Sequence, residues 1–146
     1  MNPNGANILL VEDNPQDAEL VIRALKKQNL ADQVQVARDG AEALEMIFDS
    51  DGERGGLWEN LKVILLDLKL PKVSGFEVLE KIKNEARTKA IPVVVLTSSP
   101  EESDIKESYR LGANSYVVKP VEYDNFIAAV AQLGSYWLLL NRTGYE

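Results

Sequence analysis

Ile8-Leu9-Leu10-Val11-Glu12-Asp13 decides the fold: four consecutive apolar residues run straight into two carboxylates. A strand with one wet face alternates apolar and polar residues, so an unbroken run reads as a strand covered on both sides, as in a parallel sheet. Two further runs repeat the pattern. Val63-Ile64-Leu65-Leu66 ends in Asp67, and Val93-Val94-Val95-Leu96 ends in Thr97. A shorter, mixed run from Ser115 to Val118 ends in Lys119, while Val34-Gln35-Val36-Ala37 alternates, which places these two at the sheet edges. Central first, third and fourth strands with the second and fifth outermost match the order 2-1-3-4-5 of a doubly wound, five-stranded parallel α/β sheet with helices on both faces.

The helices carry their own signals. Asn14-Pro15-Gln16-Asp17 sets a capping side chain before a proline suited to the first helical position, and Ala18, Val21, Ile22 and Leu25 follow at helical spacing. Asp39 precedes Ala43, Leu44, Ile47 and Phe48. Ser74-Gly75-Phe76-Glu77 and Ser99-Pro100-Glu101-Glu102 both fit a capping box. Gly112 stands where the fourth helix can end through a positive φ. The last helix is expected to start near Glu122, to extend to about residue 140, and to carry Phe126, Ile127, Val130, Leu133 and Trp137. Asp49 to Asn60 reads as a solvated surface loop in which Trp58 either anchors a partner or folds back onto the domain.

A chain of 146 residues suffices for one sizeable core, so residues 1–146 are expected to form a single domain, with a core over about 7–130 and the extended last helix over about 122–140. With 16 basic and 23 acidic residues the net charge is −7, and no basic arm or helix stands out, which argues against direct nucleic-acid binding. Cysteine is absent, which excludes disulfides and thiol chemistry, and no apolar stretch approaches membrane-spanning length. The N terminus is short and polar. A cytoplasmic location, away from any membrane, is the expectation.

In an open parallel sheet the carboxyl ends of the strands line one crevice, so Glu12, Asp13, Asp67, Thr97 and Lys119 should meet there. Three carboxylates brought together without compensation repel one another, and a cation is the natural remedy. Hard oxygen ligands suit Mg²⁺, which shares phosphate oxygens. The chain has no histidine and no cysteine, so a zinc site of ordinary ligand type is not available. A carboxylate beside such a cation, with an ammonium and a hydroxyl nearby, can attack phosphorus and hold the phosphoryl oxygens, and Asp67 is the natural nucleophile.

Taken in order, Val11-Glu12-Asp13, Leu65-Leu66-Asp67 with Pro71 and Gly75, Val95-Leu96-Thr97-Ser98 and Val118-Lys119-Pro120 resemble the CheY-like receiver domain over about residues 7 to 130. The resemblance implies a flavodoxin-like fold and a response regulator of a two-component phosphorelay, not an enzyme in its own right, although it assists its own phosphorylation and dephosphorylation. Asp67 would accept a phosphoryl group from a sensor histidine kinase, and Glu12, Asp13, Asp67 and the backbone carbonyl of Lys69 would hold Mg²⁺. Lys119 would bind a phosphoryl oxygen, across a cis bond to Pro120. Thr97 would close on the phosphoryl group and Tyr116 would swing inward after it, changing the face made by the fourth helix, fifth strand and fifth helix. Lys69 and Ser99 fall where the family varies, which leaves the lifetime of the phosphorylated state open.

Within that family the chain is similar to single-domain regulators that partner phytochrome-type kinases, through the long loop, the Ile91 to Thr97 segment and the pair Tyr136-Trp137. No output domain follows, so signalling by protein contact is expected. Three alternatives stand beside this reading. A pseudo-receiver that only binds partners gains no support, because all five chemical positions are intact. An aspartyl-phosphate phosphatase of the haloacid-dehalogenase type is disfavoured by Lys69, where such enzymes usually carry a second aspartate. A nucleotide-binding domain fits worse, since the acidic turn after the first strand would repel an anion. Finally, Tyr136-Trp137-Leu138-Leu139-Leu140 exceeds what one helix face can bury, so Tyr136, Trp137 and Leu140 are expected to lie in a homodimer contact, with folding back onto the core as the competing outcome.

Overall fold

Sustained apolar character makes three strands, and no side chain in them is exposed: β1 (Ile8–Val11), β3 (Val63–Leu66) and β4 (Val93–Thr97). The partly exposed strands β2 (Val34–Ala37) and β5 (Ser115–Val118) close the edges. The computed structural model describes residues 6–48, 57–120 and 122–142. All neighbouring strands pair in parallel in the order β2-β1-β3-β4-β5, as the sequence predicts.

Alternating side chains feed two cores. Leu9, Val11, Ile64, Leu66, Val93 and Val95 pack with residues of α2 (Gly40–Phe48) and α3 (Gly75–Asn84). Ile8, Leu10, Val63, Leu65, Val94 and Leu96 pack with α1 (Pro15–Lys26) and α5 (Tyr123–Ser135). The remaining helix, α4 (Glu102–Arg110), buries only Ser108.

The helix starts follow their caps. The Asn14 side chain accepts from the backbone N–H groups of Gln16 and Asp17, with Pro15 in the first turn. Asp39 Oδ1 accepts from Glu42 N–H, and the Ser74–Glu77 capping box forms in both directions. Gly112 ends the fourth helix at φ 107°, a left-handed conformation that side-chain-bearing residues resist.

The second expected capping box does not form. Glu101 occupies the cap position of α4 without a side-chain hydrogen bond. The buried Ser99 hydroxyl donates instead to Asp104 Oδ2 at 2.6 Å, a charged and therefore stronger acceptor, and Glu102 pairs with Lys106. The bond between Lys119 and Pro120 is trans, not cis. With it trans, the Lys119 ammonium already reaches the carboxylates described below, so the contact does not demand the costlier isomer.

Of the long connection, residues 49–56 lie outside those described. Trp58, in a 3-10 turn over Leu57–Glu59, is partly buried against the first core, with the Arg87 guanidinium 5.8 Å from its ring centre. The tryptophan therefore folds back onto the domain. After α5 the chain continues as a π-helical turn, Tyr136–Leu140, so helical structure does extend to residue 140. That turn divides the apolar run. Leu138 is buried and Trp137 packs against the second core, whereas Tyr136, Leu139 and Leu140 are 48%, 65% and 69% exposed.

Candidate functional site

The sheet's own hydrogen-bond ladder delivers the polar residues to one edge. Three strands are followed by one more ladder bond each: Glu12 N–H to the Ala37 carbonyl, Asp67 N–H to that of Val11, and Lys119 N–H to that of Thr97. Backbone pairing thus fixes where Glu12, Asp67 and Lys119 stand. Gly75, which opens α3, lets that helix abut the same edge. A Cβ there would collide with the Asp67 carbonyl and lie 2.5 Å from the Leu68 Cα.

Glu12, Asp13 and Asp67 each present a carboxylate oxygen within 4.8 Å of the others. Glu12 and Asp67 are buried and Asp13 is exposed, so the group opens to solvent on one side. The Lys119 ammonium donates to Glu12 Oε1 at 2.6 Å, to Asp17 Oδ2 at 2.9 Å and to Asp67 Oδ2 at 3.2 Å. Its side chain is 9% exposed. Burial pushes the Glu12 carboxyl upward from its ordinary range, against the pull of the Lys119 bond. Burial also opposes the charge on Lys119, but its bonds to Glu12 and Asp17 outweigh that and hold the ammonium above its usual range.

The remaining expected residues lie at or near the carboxyl ends of β3, β4 and β5. Thr97 is fully buried, and its hydroxyl finds no hydrogen-bond partner among the described residues. A buried hydroxyl left unpaired is costly, which marks it as waiting for an acceptor. Lys69 lies on the loop after β3 with an exposed side chain, and its N–H donates to Asp67 Oδ1 at 3.2 Å. The Tyr116 hydroxyl donates to the Ser99 carbonyl at 2.8 Å, and burial pushes this phenol upward. Tyr116 is thereby tied to the loop between β4 and α4.

Asp17 was not expected in this company. In the sequence it reads only as an acid in a helix start. No sequence signal marks it, since Asp13 precedes the Asn14 cap and the spacing of four between the two acids is not a helical repeat.

The donor set is all oxygen, acidic and half open, and it fits a hard divalent cation that shares ligands with a phosphoryl group. Lys119 supplies a positive charge beside it, and the unpaired Thr97 hydroxyl adds a donor ready for an oxyanion. A doubly wound sheet with such an acidic, lysine-closed crevice defines a receiver-type signalling module.

Residues 8–131 match the response regulator receiver domain family, and the chain belongs to it. Among curated relatives, it is 40% identical to a probable methanogenesis regulatory protein, FilR2, of Methanothrix harundinacea, over 93% of this chain and 86% of that protein. It is also 40% identical to the response regulator Rcp1 of Synechocystis, over 90% of this chain and 88% of that protein. Among solved structures, the phosphorylated cyanobacterial phytochrome response regulator RcpA superposes with a TM-score of 0.83 at 36% identity, covering 95% of this chain and 98% of that one. The Mn²⁺-bound form of Rcp1 superposes with a TM-score of 0.81 at 38% identity, covering 94% and 98%. The bacteriophytochrome response regulator AtBRR is 52% identical with a TM-score of 0.70, covering 94% and 98%. The chain is thus a response-regulator receiver domain close to phytochrome-associated regulators.

Proposed function

We propose that this receiver accepts a phosphoryl group on Asp67 from a phosphohistidine of a sensor kinase, and that the kinase is of the phytochrome type. An Asp67 carboxylate oxygen forms the new bond to phosphorus while the phosphorus–nitrogen bond breaks, the electron pair leaving with the imidazole. Glu12, Asp13 and Asp67, with the Lys69 carbonyl, would hold Mg²⁺. Bound there, it would supply the positive charge that lets the Asp67 carboxylate approach the anionic phosphoryl group. Lys119 binds a phosphoryl oxygen and Thr97 donates its hydroxyl to another. Pairing of that hydroxyl draws the loop after β4 toward Asp67, and Tyr116, bonded to the Ser99 carbonyl, carries the movement to the face formed by α4, β5 and α5.

The observation that carries this reading is the Lys119 ammonium 3.2 Å from Asp67 beside three clustered carboxylate oxygens. The similar RcpA in a phosphorylated form and Rcp1 in a Mn²⁺-bound form support the chemistry, and the likeness to phytochrome regulators supports the kinase class. The test incubates the protein and Asp67→Asn with Mg²⁺ and a panel of autophosphorylated kinases that includes a phytochrome-type kinase. Label should pass to the parent from that kinase and not to the variant; equal labelling of Asp67→Asn would overturn the assignment.

We further infer that the domain acts in the cytoplasm and pairs with a second copy. Leu139 and Leu140 project from the last turn, and Tyr136 with Ser115, Val117, Ala129 and Leu133 lines a groove. One chain therefore carries both a projection and a recess, as a two-fold contact requires.

A further inference from the structure

We propose that Asp17 is the residue that positions Lys119, a reading that rests on the proposed phosphoryl chemistry. Three carboxylates share the Lys119 ammonium, but Asp17 stands apart from the other two. Glu12 and Asp67 belong to the clustered oxygens suited to a divalent cation, and Asp17 does not. A cation held by those oxygens would draw Glu12 and Asp67 away from Lys119. The bond to Asp17 at 2.9 Å is free of that pull.

Asp17 is also built to stay in place. Its backbone N–H is taken by the Asn14 cap at 3.1 Å, and Pro15 fixes the turn before it. Farther along the same helix, Arg23 Nη1 donates to the Tyr123 hydroxyl at 2.8 Å, which ties α1 to the start of α5. The Asp17 side chain is 33% exposed where that of Lys119 is 9% exposed, so Asp17 holds the ammonium from the solvent side while Asp67 lies on the inner side. A lysine has four rotatable bonds and one point charge, and it aims poorly unless a fixed anion holds its end. Asp17 supplies that anion from a helix, whereas the other ligands come from strand ends.

The test compares the parent with Asp17→Asn and Asp17→Glu, using acetyl phosphate and Mg²⁺ together with NMR of the Lys119 ammonium in protein saturated with Mg²⁺, the condition in which Glu12 and Asp67 would be drawn away from the ammonium. Asp17→Asn should lower the maximal phosphorylation rate about tenfold, the size expected for one mis-set charged contact, while the half-saturating Mg²⁺ concentration stays within about twofold. Asp17→Glu should recover most of the rate. The ammonium signal, assigned with Lys119→Arg and visible only while the group is immobilised, should be present in the parent and lost in Asp17→Asn. A persisting signal with an unchanged rate overturns the proposal. So does a parallel loss of Mg²⁺ affinity, which would make Asp17 a metal ligand. If the parent itself takes no label, the phosphoryl-acceptor reading fails, and the NMR comparison still decides whether Asp17 holds Lys119.

Discussion

At Asp67 the proposed chemistry depends on a single atom type, since an amide nitrogen in place of a carboxylate oxygen keeps the shape and removes the nucleophile. Asp67→Asn is therefore expected to fold with an unchanged melting temperature or a slightly higher one, because the Glu12–Asp67 repulsion is relieved, and to accept no phosphoryl group. Asp13→Asn should leave the acceptor intact but weaken Mg²⁺ by about tenfold or more, since a unit charge about 4 Å from a cation is worth a few kcal/mol even at a high effective dielectric. Unchanged Mg²⁺ affinity, measured by titration calorimetry, would remove Asp13 from the ligand set. Gly75→Ala acts through backbone alone: the added methyl meets the Asp67 carbonyl and the Leu68 Cα, and a loss of about 2–3 kcal/mol in denaturant unfolding is expected. The strand-end positions could be read from the sequence because they advertise themselves, a run of apolar residues stopping at a polar one. Asp17 could not, because it reaches Lys119 from a helix surface, and only the tertiary fold brings the first turn of α1 to the end of β5.

Among the elements, the strands were readable for a plain reason: β1, β3 and β4 are covered on both faces, so nearly every residue in them must be apolar. The start of α4 was not. Its capping pattern is present in the sequence, but a second acid in the first turn, Asp104, takes the Ser99 hydroxyl and leaves Glu101 at the cap, a competition between neighbouring acids that the capping pattern alone does not resolve. With Ser108 as its only buried residue, α4 is thinly anchored, and amide exchange there should be faster than in α1 and α3 by at least about tenfold under native conditions. Equal protection would argue against α4 as the moving part. The opposite end of the sheet holds a firmer joint. Lys83 of α3 donates to the carbonyls of Lys89 and Ile91 and to Asn114 Oδ1, and Asn114 Oδ1 also accepts from Val93 N–H. All of these acceptors are neutral, and burial pushes the Lys83 ammonium down to about 8 from its ordinary 10.5. Between those values the unfolded chain binds more protons than the folded one, so this group makes stability rise with pH across that window. The unfolding free energy of the parent should gain roughly 1 kcal/mol more from pH 8 to 10 than that of Lys83→Met, in which the titrating group is gone. Parallel curves would mean that Lys83 titrates normally.

For the molecule as a whole, the open question is what covers the end of the last helix. Five large apolar residues in a row could be weighed from the sequence but not apportioned, because a π-helical turn shifts which side chains face inward. The structure apportions them: Trp137, its ring edge-on to Tyr136 with centres 4.9 Å apart, and Leu138 serve the domain's own core, and Tyr136, Leu139 and Leu140 do not. The two groups therefore predict different failures. Trp137→Ala removes core packing and should lower stability by about 2–4 kcal/mol whether or not a second copy binds, because the partly buried ring packs against the second core. Leu139→Ser with Leu140→Ser removes side chains that touch little within the chain, so the melting temperature of a monomer should hardly move. If the exposed pair lies in a two-fold contact, that double variant should be monomeric by light scattering at concentrations where the parent is dimeric. A monomeric parent, or a double variant that still pairs, would leave the exposed leucines without the second copy proposed for them and would return the homodimer contact to some other face.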